Sequence, residues 1–283
     1  MEPLGPIETL GLFPGERAAL ISLLESLDSE DWAISTVCAG WTVHDVALHI
    51  LWGDISYLSR VRDGFTGLHS PPAGDLSEPA DLLTYINAIN QTWVTGAGSV
   101  SPPLVVDFLR LIGERITDFC GTLDLGANGG VVSWAGPAQA PVWMDVAREY
   151  TERWHHQQHI RDATGKPGLM EREWCHPVLD AFARALPFAL RKERPAEGTT
   201  VALEVTGAAG DIWIASRANG SWSLGRGDAD RLVAATSRVT LDQDTAWRLF
   251  TRGLVPEKAA EHVTIAGDPA LACRVLRMVT IIA

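Results

Sequence analysis

Glu152-Arg153-Trp154-His155-His156-Gln157-Gln158-His159-Ile160-Arg161 decides how this chain is read. The stretch lies near the end of a long helical pattern and sets a carboxylate and an imidazole four residues apart. On a helix such a pair sits one turn apart on the same face, with about 5–6 Å between Cβ atoms, which suits two ligands of one metal ion. Stepping about 100° per residue from Glu152 puts His156 at about 40°, His159 at about 340°, Glu149 at about 60° and Asp145 at about 20°. Trp143, Tyr150 and Trp154 fall on the opposite side. Two readings follow: a metal-binding face, or a polar solvated face with aromatic side chains buried behind it.

The metal reading needs a third ligand from elsewhere. His49 is the candidate, on a helix opened by Gly40-Trp41-Thr42-Val43-His44-Asp45 and on the shoulder of that helix's apolar stripe. A half-buried histidine there needs a partner, and a satisfied core histidine is the other account of it. Two imidazole nitrogens and one carboxylate oxygen leave a coordination position open, as in catalytic zinc sites. Nickel, iron or manganese accept the same donors. His155 and His159 point about 100° and 60° away from His156, so at most one joins it, and both are expected behind the ligands or on the surface.

Composition narrows the alternatives. A chain of 283 residues with 46% hydrophobic and 20% charged residues reads as a globular protein of one large or two ordinary domains. A formal charge of −12 argues against nucleic-acid binding, which needs a basic surface to neutralise phosphates. The apolar runs are too short for a membrane span, and Met1-Glu2-Pro3-Leu4-Gly5-Pro6 lacks the basic and apolar regions of an export signal. Cys38, Cys120, Cys175 and Cys273 are scattered singly, with no Cys-x-x-Cys pair, and are expected as reduced thiols in a cytoplasm.

Helical periodicity covers residues 14–27, 42–62, 79–95, 103–123, 141–163 and 172–192. Thr42 and Asp45 stand as a capping box with Asp in place of Glu, and Pro102-Pro103 enters the fourth helix. The glycine-rich residues 124–141 are expected as loop, and Gly165-Lys166-Pro167-Gly168 as a helix stop. From residue 200 the pattern changes to strands: Val201, Leu203 and Val205 alternate, Ile212 and Ile214 follow, and Asn219-Gly220 signals a hairpin. Leu232–Leu241 reads as another strand, 242–251 as a short helix and 262–265 as a strand. Asp268 caps a last helix with Pro269 in its first turn. The expected fold is an N-terminal up-down helical bundle over residues 1–170 followed by a smaller α+β domain over 171–283.

Asp31-Trp32 and Cys38-Ala39-Gly40-Trp41-Thr42-Val43-His44-Asp45-Val46-Ala47-Leu48-His49, taken with the stretch from Glu152 to Gly165, resemble the two signatures of the mycothiol-dependent maleylpyruvate isomerase family. This is a branch of the DinB-like metal-binding bundles. Arg248-Leu249-Phe250-Thr251-Arg252-Gly253 and Ala266-Gly267-Asp268-Pro269-Ala270-Leu271-Ala272 resemble its C-terminal domain, which is similar to sterol-carrier folds. The resemblance implies zinc held by His49, Glu152 and His156 and mycothiol as thiol cosubstrate. It further implies a thiolate that adds to an activated double bond, which rotates before elimination, and an arginine on the substrate carboxylate. Arg252 is the candidate for that arginine, although Arg-Gly stands here where Gly-Arg is expected.

The function expected is therefore metal-dependent activation of a low-molecular-weight thiol, for isomerase or S-transferase chemistry on a small electrophile. A non-catalytic module for an apolar ligand, or a metal-dependent hydrolase on the same site, are the alternatives. No nucleic-acid or membrane partner is expected, and oligomeric state stays open.

Overall fold

The computed structural model describes residues 2–65 and 79–280. Its internal contacts divide the chain into two compact units: Leu10–Leu123 with Glu152–Gly168, and Met1–Thr9 with Asp124–Thr151 and Leu169–Ala283. The units interleave along the chain, where the sequence reading expects a single crossing near residue 170.

The first unit is helical. It holds α1 (Phe13–Glu25), α2 (Val43–Tyr57), α3 (Pro79–Ala97), α4 (Pro102–Cys120) and the second half of α5 (Val142–Thr164). The capping box of α2 forms as expected: the Asp45 N–H donates to Thr42 Oγ1 at 3.3 Å, and the Thr42 N–H donates to Asp45 Oδ2 at 2.8 Å. Leu20, Leu24, Val46, Leu48, Val105, Leu109 and Ile160 bury the apolar stripes of α1, α2, α4 and α5 in one core. The expected helix 42–62 is α-helical only to Tyr57. Residues Leu58–Arg62 form a π-helix, closed by the Asp63 N–H on the Leu58 carbonyl at 3.0 Å.

The second unit is built on a six-stranded sheet. Its strands are β1 (Glu2–Pro3), β4 (Thr200–Thr206), β5 (Asp211–Ala218), β6 (Ser221–Arg226), β7 (Ser237–Asp242) and β8 (Val263–Gly267), in the order β1-β6-β5-β4-β7-β8. Only β4 and β7 run parallel. Asn219 and Gly220 take φ of 52° and 76° between β5 and β6, the two left-handed residues of a type I′ turn. The helices here are α6 (Arg172–Ala183), α7 (Leu186–Ala189), α8 (Ala229–Ala234), α9 (Gln243–Phe250), α10 (Pro256–Ala259) and α11 (Pro269–Leu276).

Three expectations are corrected here. Residues 124–141 are not all loop: β2 (Asn128–Val131) and β3 (Gln139–Pro141) pair antiparallel, so their backbone groups find partners that side-chain periodicity does not announce. The 172–192 helix breaks in two, because Pro187 lacks an N–H and fits only the first turn of a new helix. Leu232–Leu241 is not one strand. Asp228 accepts the Arg231 N–H at 2.9 Å and starts α8, whose Leu232 packs on Ala202 and Ile214. The strand begins only at Ser237.

Candidate metal centre

Helix α5 carries its histidines inside the protein. Arg153, His155, His156, Gln157, Gln158 and His159 are all buried, and Trp154 is buried with them. A solvated polar face, and a surface place for His155 or His159, are thereby excluded. A core this polar persists only where its groups find partners, and most do. Gln157 Nε2 donates to Glu16 Oε1 at 2.7 Å, Gln158 Nε2 to the Gly168 carbonyl at 3.1 Å, and Arg161 Nη2 to Gln157 Oε1 at 2.7 Å.

Beneath the histidines lies an ion network. Asp54, fully buried on α2, accepts from Arg153 Nε at 2.7 Å through Oδ1 and from Arg17 Nη2 at 2.6 Å through Oδ2. The carboxylate thus ties α2, α5 and α1 together, and with them the segments that bear His49, Glu152 and His156. Glu16, buried beside it, is pushed above the usual carboxylate range by burial, against the pull of Arg17 and Arg153.

The three candidate ligands converge. One donor atom each from His49, Glu152 and His156 lie within 4.8 Å of one another. His49 Nε2 and His156 Nε2 are 3.1 Å apart, and His156 Nε2 is 3.4 Å from Glu152 Oε2. Donors about 2.0–2.1 Å from a tetrahedral ion stand about 3.3 Å from each other, so these separations fit a shared ion. Burial and the neighbouring His156 hold His49 down to about 3, against the opposing pull of Glu152, and burial holds His156 down to about 4. Both imidazoles are therefore neutral at pH 7, with a lone pair to offer. Their Nδ1 atoms are buried and have no hydrogen-bond partner among the described residues. The Trp41 ring lies 5.0 Å from that of His49 and is fixed by Nε1 donating to Gln91 Oε1 at 2.9 Å.

A second convergence escaped the sequence reading. Cys38 Sγ lies 3.1 Å from His159 Nδ1, and Cys38, His156 and His159 also bring donor atoms within 4.8 Å of one another. Cys38 sits at the head of a tight turn, where the Trp41 N–H donates to its carbonyl at 2.9 Å and Gly40 supplies a φ of 80°. The only sequence signal was the i, i+3 spacing of His156 and His159; their partner is 121 residues away from His159. His155 is fully buried, its ring 4.3 Å from those of both His156 and His159. His44 stays outside the cluster, with Nε2 2.8 Å from the Val100 carbonyl.

Arg252 belongs to the other unit. It is exposed, follows the C-terminal cap of α9, and has a φ of 63° where helices usually place glycine.

Residues 13–161 match the family model described as mycothiol maleylpyruvate isomerase N-terminal domain, more than half of the chain. Two uncharacterized proteins of Mycobacterium tuberculosis, from strains CDC 1551 and H37Rv, are each 28% identical over 264 residues, covering 89% of this chain and 91% of their own length. The crystal structure of the mycothiol-dependent maleylpyruvate isomerase superposes with a TM-score of 0.54 at 13% identity, over 94% of this chain and 96% of that one. The structure of a histidine-to-alanine mutant of that enzyme gives 0.53 at 12% over the same shares. At that identity the likeness concerns the fold, a helical N-terminal region followed by a mixed-sheet domain. Among the described residues no helix is long and apolar enough to cross a membrane.

Proposed function

The chain belongs to the mycothiol maleylpyruvate isomerase N-terminal domain family, and on that premise we propose that it is a metal-dependent enzyme activating a low-molecular-weight thiol of the mycothiol type. The reaction is isomerisation or S-transfer on a small electrophilic substrate, with zinc as the ion. The observation that carries this reading is the convergence of His49, Glu152 and His156 at separations a single ion can span. When bound, a divalent cation supplies positive charge that stabilises a thiolate at neutral pH.

The chain's own residues prepare for that charge. Burial keeps His49 and His156 deprotonated, so neither repels a cation. Glu152, a third exposed at its side chain, adds a carboxylate on the side open to solvent. Two neutral nitrogens and one carboxylate would hold the ion and leave room for a fourth donor, which the thiol would supply. Trp41 lies against His49 on one flank. Arg252 is the guanidinium we assign to a substrate carboxylate, which its planar fork can grip with two bonds. Its left-handed backbone is a strained conformation for a side chain larger than glycine, and strain of this kind gathers at functional positions.

Metal analysis of the purified protein, followed by titration of the cobalt-substituted form with mycothiol, tests the reading. At least one equivalent of metal is expected in the wild type and little in His156→Ala, with cobalt d–d bands that shift on adding mycothiol. A wild-type protein that binds no metal overturns the metal assignment. Cobalt bands indifferent to mycothiol overturn the thiol assignment.

A further inference from the structure

The donor set of Cys38, His156 and His159 has no place in the reading above, which uses His49, Glu152 and His156. We propose that these three residues form a second, sulfur-containing metal position in the same unit, sharing His156 with the first and taking a thiophilic divalent ion such as Zn2+ or Cd2+. It rests on the reading above only through His156.

The argument is geometric. Sulfur at about 2.3 Å and nitrogen at about 2.05 Å from a tetrahedral ion stand about 3.5 Å apart. Cys38 Sγ and His159 Nδ1 are already at 3.1 Å, and a donor of His156 lies within 4.8 Å of both. The three donors come from two rigid elements, the tight turn before α2 and one face of α5, so only small rotations are needed to seat an ion. The donor set of one thiolate and two imidazoles is the soft combination that selects zinc-like ions over magnesium or calcium.

A second observation points the same way. His155 lies against both His156 and His159, and neither of its ring nitrogens has a hydrogen-bond partner among the described residues. A buried polar group left unpaired costs about 1–3 kcal/mol. The unpaired polarity of α5 therefore sits beside these three donors. Binding exchanges the Cys38 S–H bond for an S–metal bond and releases one proton to solvent. No oxidant or reductant is required. The position offers an ion a thiolate from the protein itself, in place of the external thiol that the first position would take.

Cobalt titration of the full-length, metal-free protein tests this. In the wild type a sulfur-to-cobalt charge-transfer band in the near ultraviolet is expected beside the d–d bands. Cys38→Ser removes that band while cobalt stays bound, and His49→Ala keeps it. His159→Ala is expected to weaken cobalt binding at the sulfur-containing position by about 10-fold or more. A readout without any variant is alkylation by iodoacetamide, mapped by peptide mass spectrometry: Zn2+ slows Cys38 by about 10-fold or more and leaves the exposed Cys273 unchanged. Cobalt bound with nitrogen and oxygen donors alone, and Cys38 alkylated equally with and without Zn2+, overturn this position and leave the first one standing. Absence of any cobalt binding in the wild type overturns both.

Discussion

Replacing Asp54 by Asn tests whether the buried ion network frames the candidate centre. The carboxylate is fully buried, takes two guanidiniums at 2.6 and 2.7 Å, and its partners Arg17 and Arg153 are themselves buried. Removing one member of a buried pair costs about 3–5 kcal/mol, because it strands the opposite charge. Asn keeps one acceptor oxygen and can hold one of the two arginines, which places Asp54→Asn at the low end, about 3 kcal/mol. For a protein of this size, at about 2–4 °C per kcal/mol, the melting temperature falls by about 6–12 °C. Asp54 lies five residues beyond His49 on α2, and Arg153 sits between Glu152 and His156 on α5. Loss of the clamp is therefore also expected to weaken metal binding by about 10-fold, the effect of a group that orients ligands without touching the ion.

Urea unfolding gives the stability. Hydrogen exchange at the α2 amides locates the loss in the helical unit, and cobalt titration gives the affinity. The apolar triple replacement Arg17→Met, Asp54→Leu, Arg153→Met removes all three charges together and is expected to recover most of the stability but not the metal affinity. A loss below about 1 kcal/mol in Asp54→Asn, with unchanged cobalt affinity, would refute the clamp and mean that the network is solvated.

Acid should destabilise the metal-free protein. His49 and His156 are held at about 3 and about 4 against an ordinary 6.5, so between pH 6.5 and 4 the unfolded chain binds protons that the native state refuses. Stability then rises with pH across that window, by about 2–4 kcal/mol between pH 5 and 6.5 for the two groups. Equal urea midpoints at pH 5 and pH 7 would show that the imidazoles are not held neutral. Arg252→Gly should raise stability by about 0.5–1 kcal/mol, since glycine relieves the left-handed φ of 63° at a small entropic cost. The same change should raise KM for a carboxylate substrate, and a lower melting temperature would contradict the strain assigned to this position.

What the sequence disclosed follows from how local each signal is. The Thr42–Asp45 box, the Asn219-Gly220 turn and the Asp268 cap are settled within four residues, and all three form. The convergence of His49 with Glu152 and His156 was within reach because helical spacing fixes two members and the shoulder of an apolar stripe suggests the third. Leu232 misled because alternation over 232–241 looks the same whether its first residues lie in a strand or cover the sheet from a short helix. Burial of His155 and His159 was illegible for a different reason. Angular position on α5 says which residues share a face, and nothing in it says that α1 and α2 bring Glu16, Arg17 and Asp54 to that helix. Cys38 was read as an isolated thiol because its partner lies 121 residues away from it.

The division of polar groups along Glu152–Thr164 adds to the argument from ligand spacing. Gln157, Gln158 and Arg161 are satisfied by protein groups, and the Arg153–Asp54–Arg17 set balances its own charge to within one unit. These groups tie α1, α2 and α5 together. His155 and one nitrogen each of His49 and His156 are buried and have no hydrogen-bond partner among the described residues. They lie together, where the donor atoms of both ligand sets converge. Each such deficit costs about 1–3 kcal/mol. Buried ring nitrogens without a partner, next to neutral lone pairs and a carboxylate, are an arrangement that the cation of the proposed function would complete.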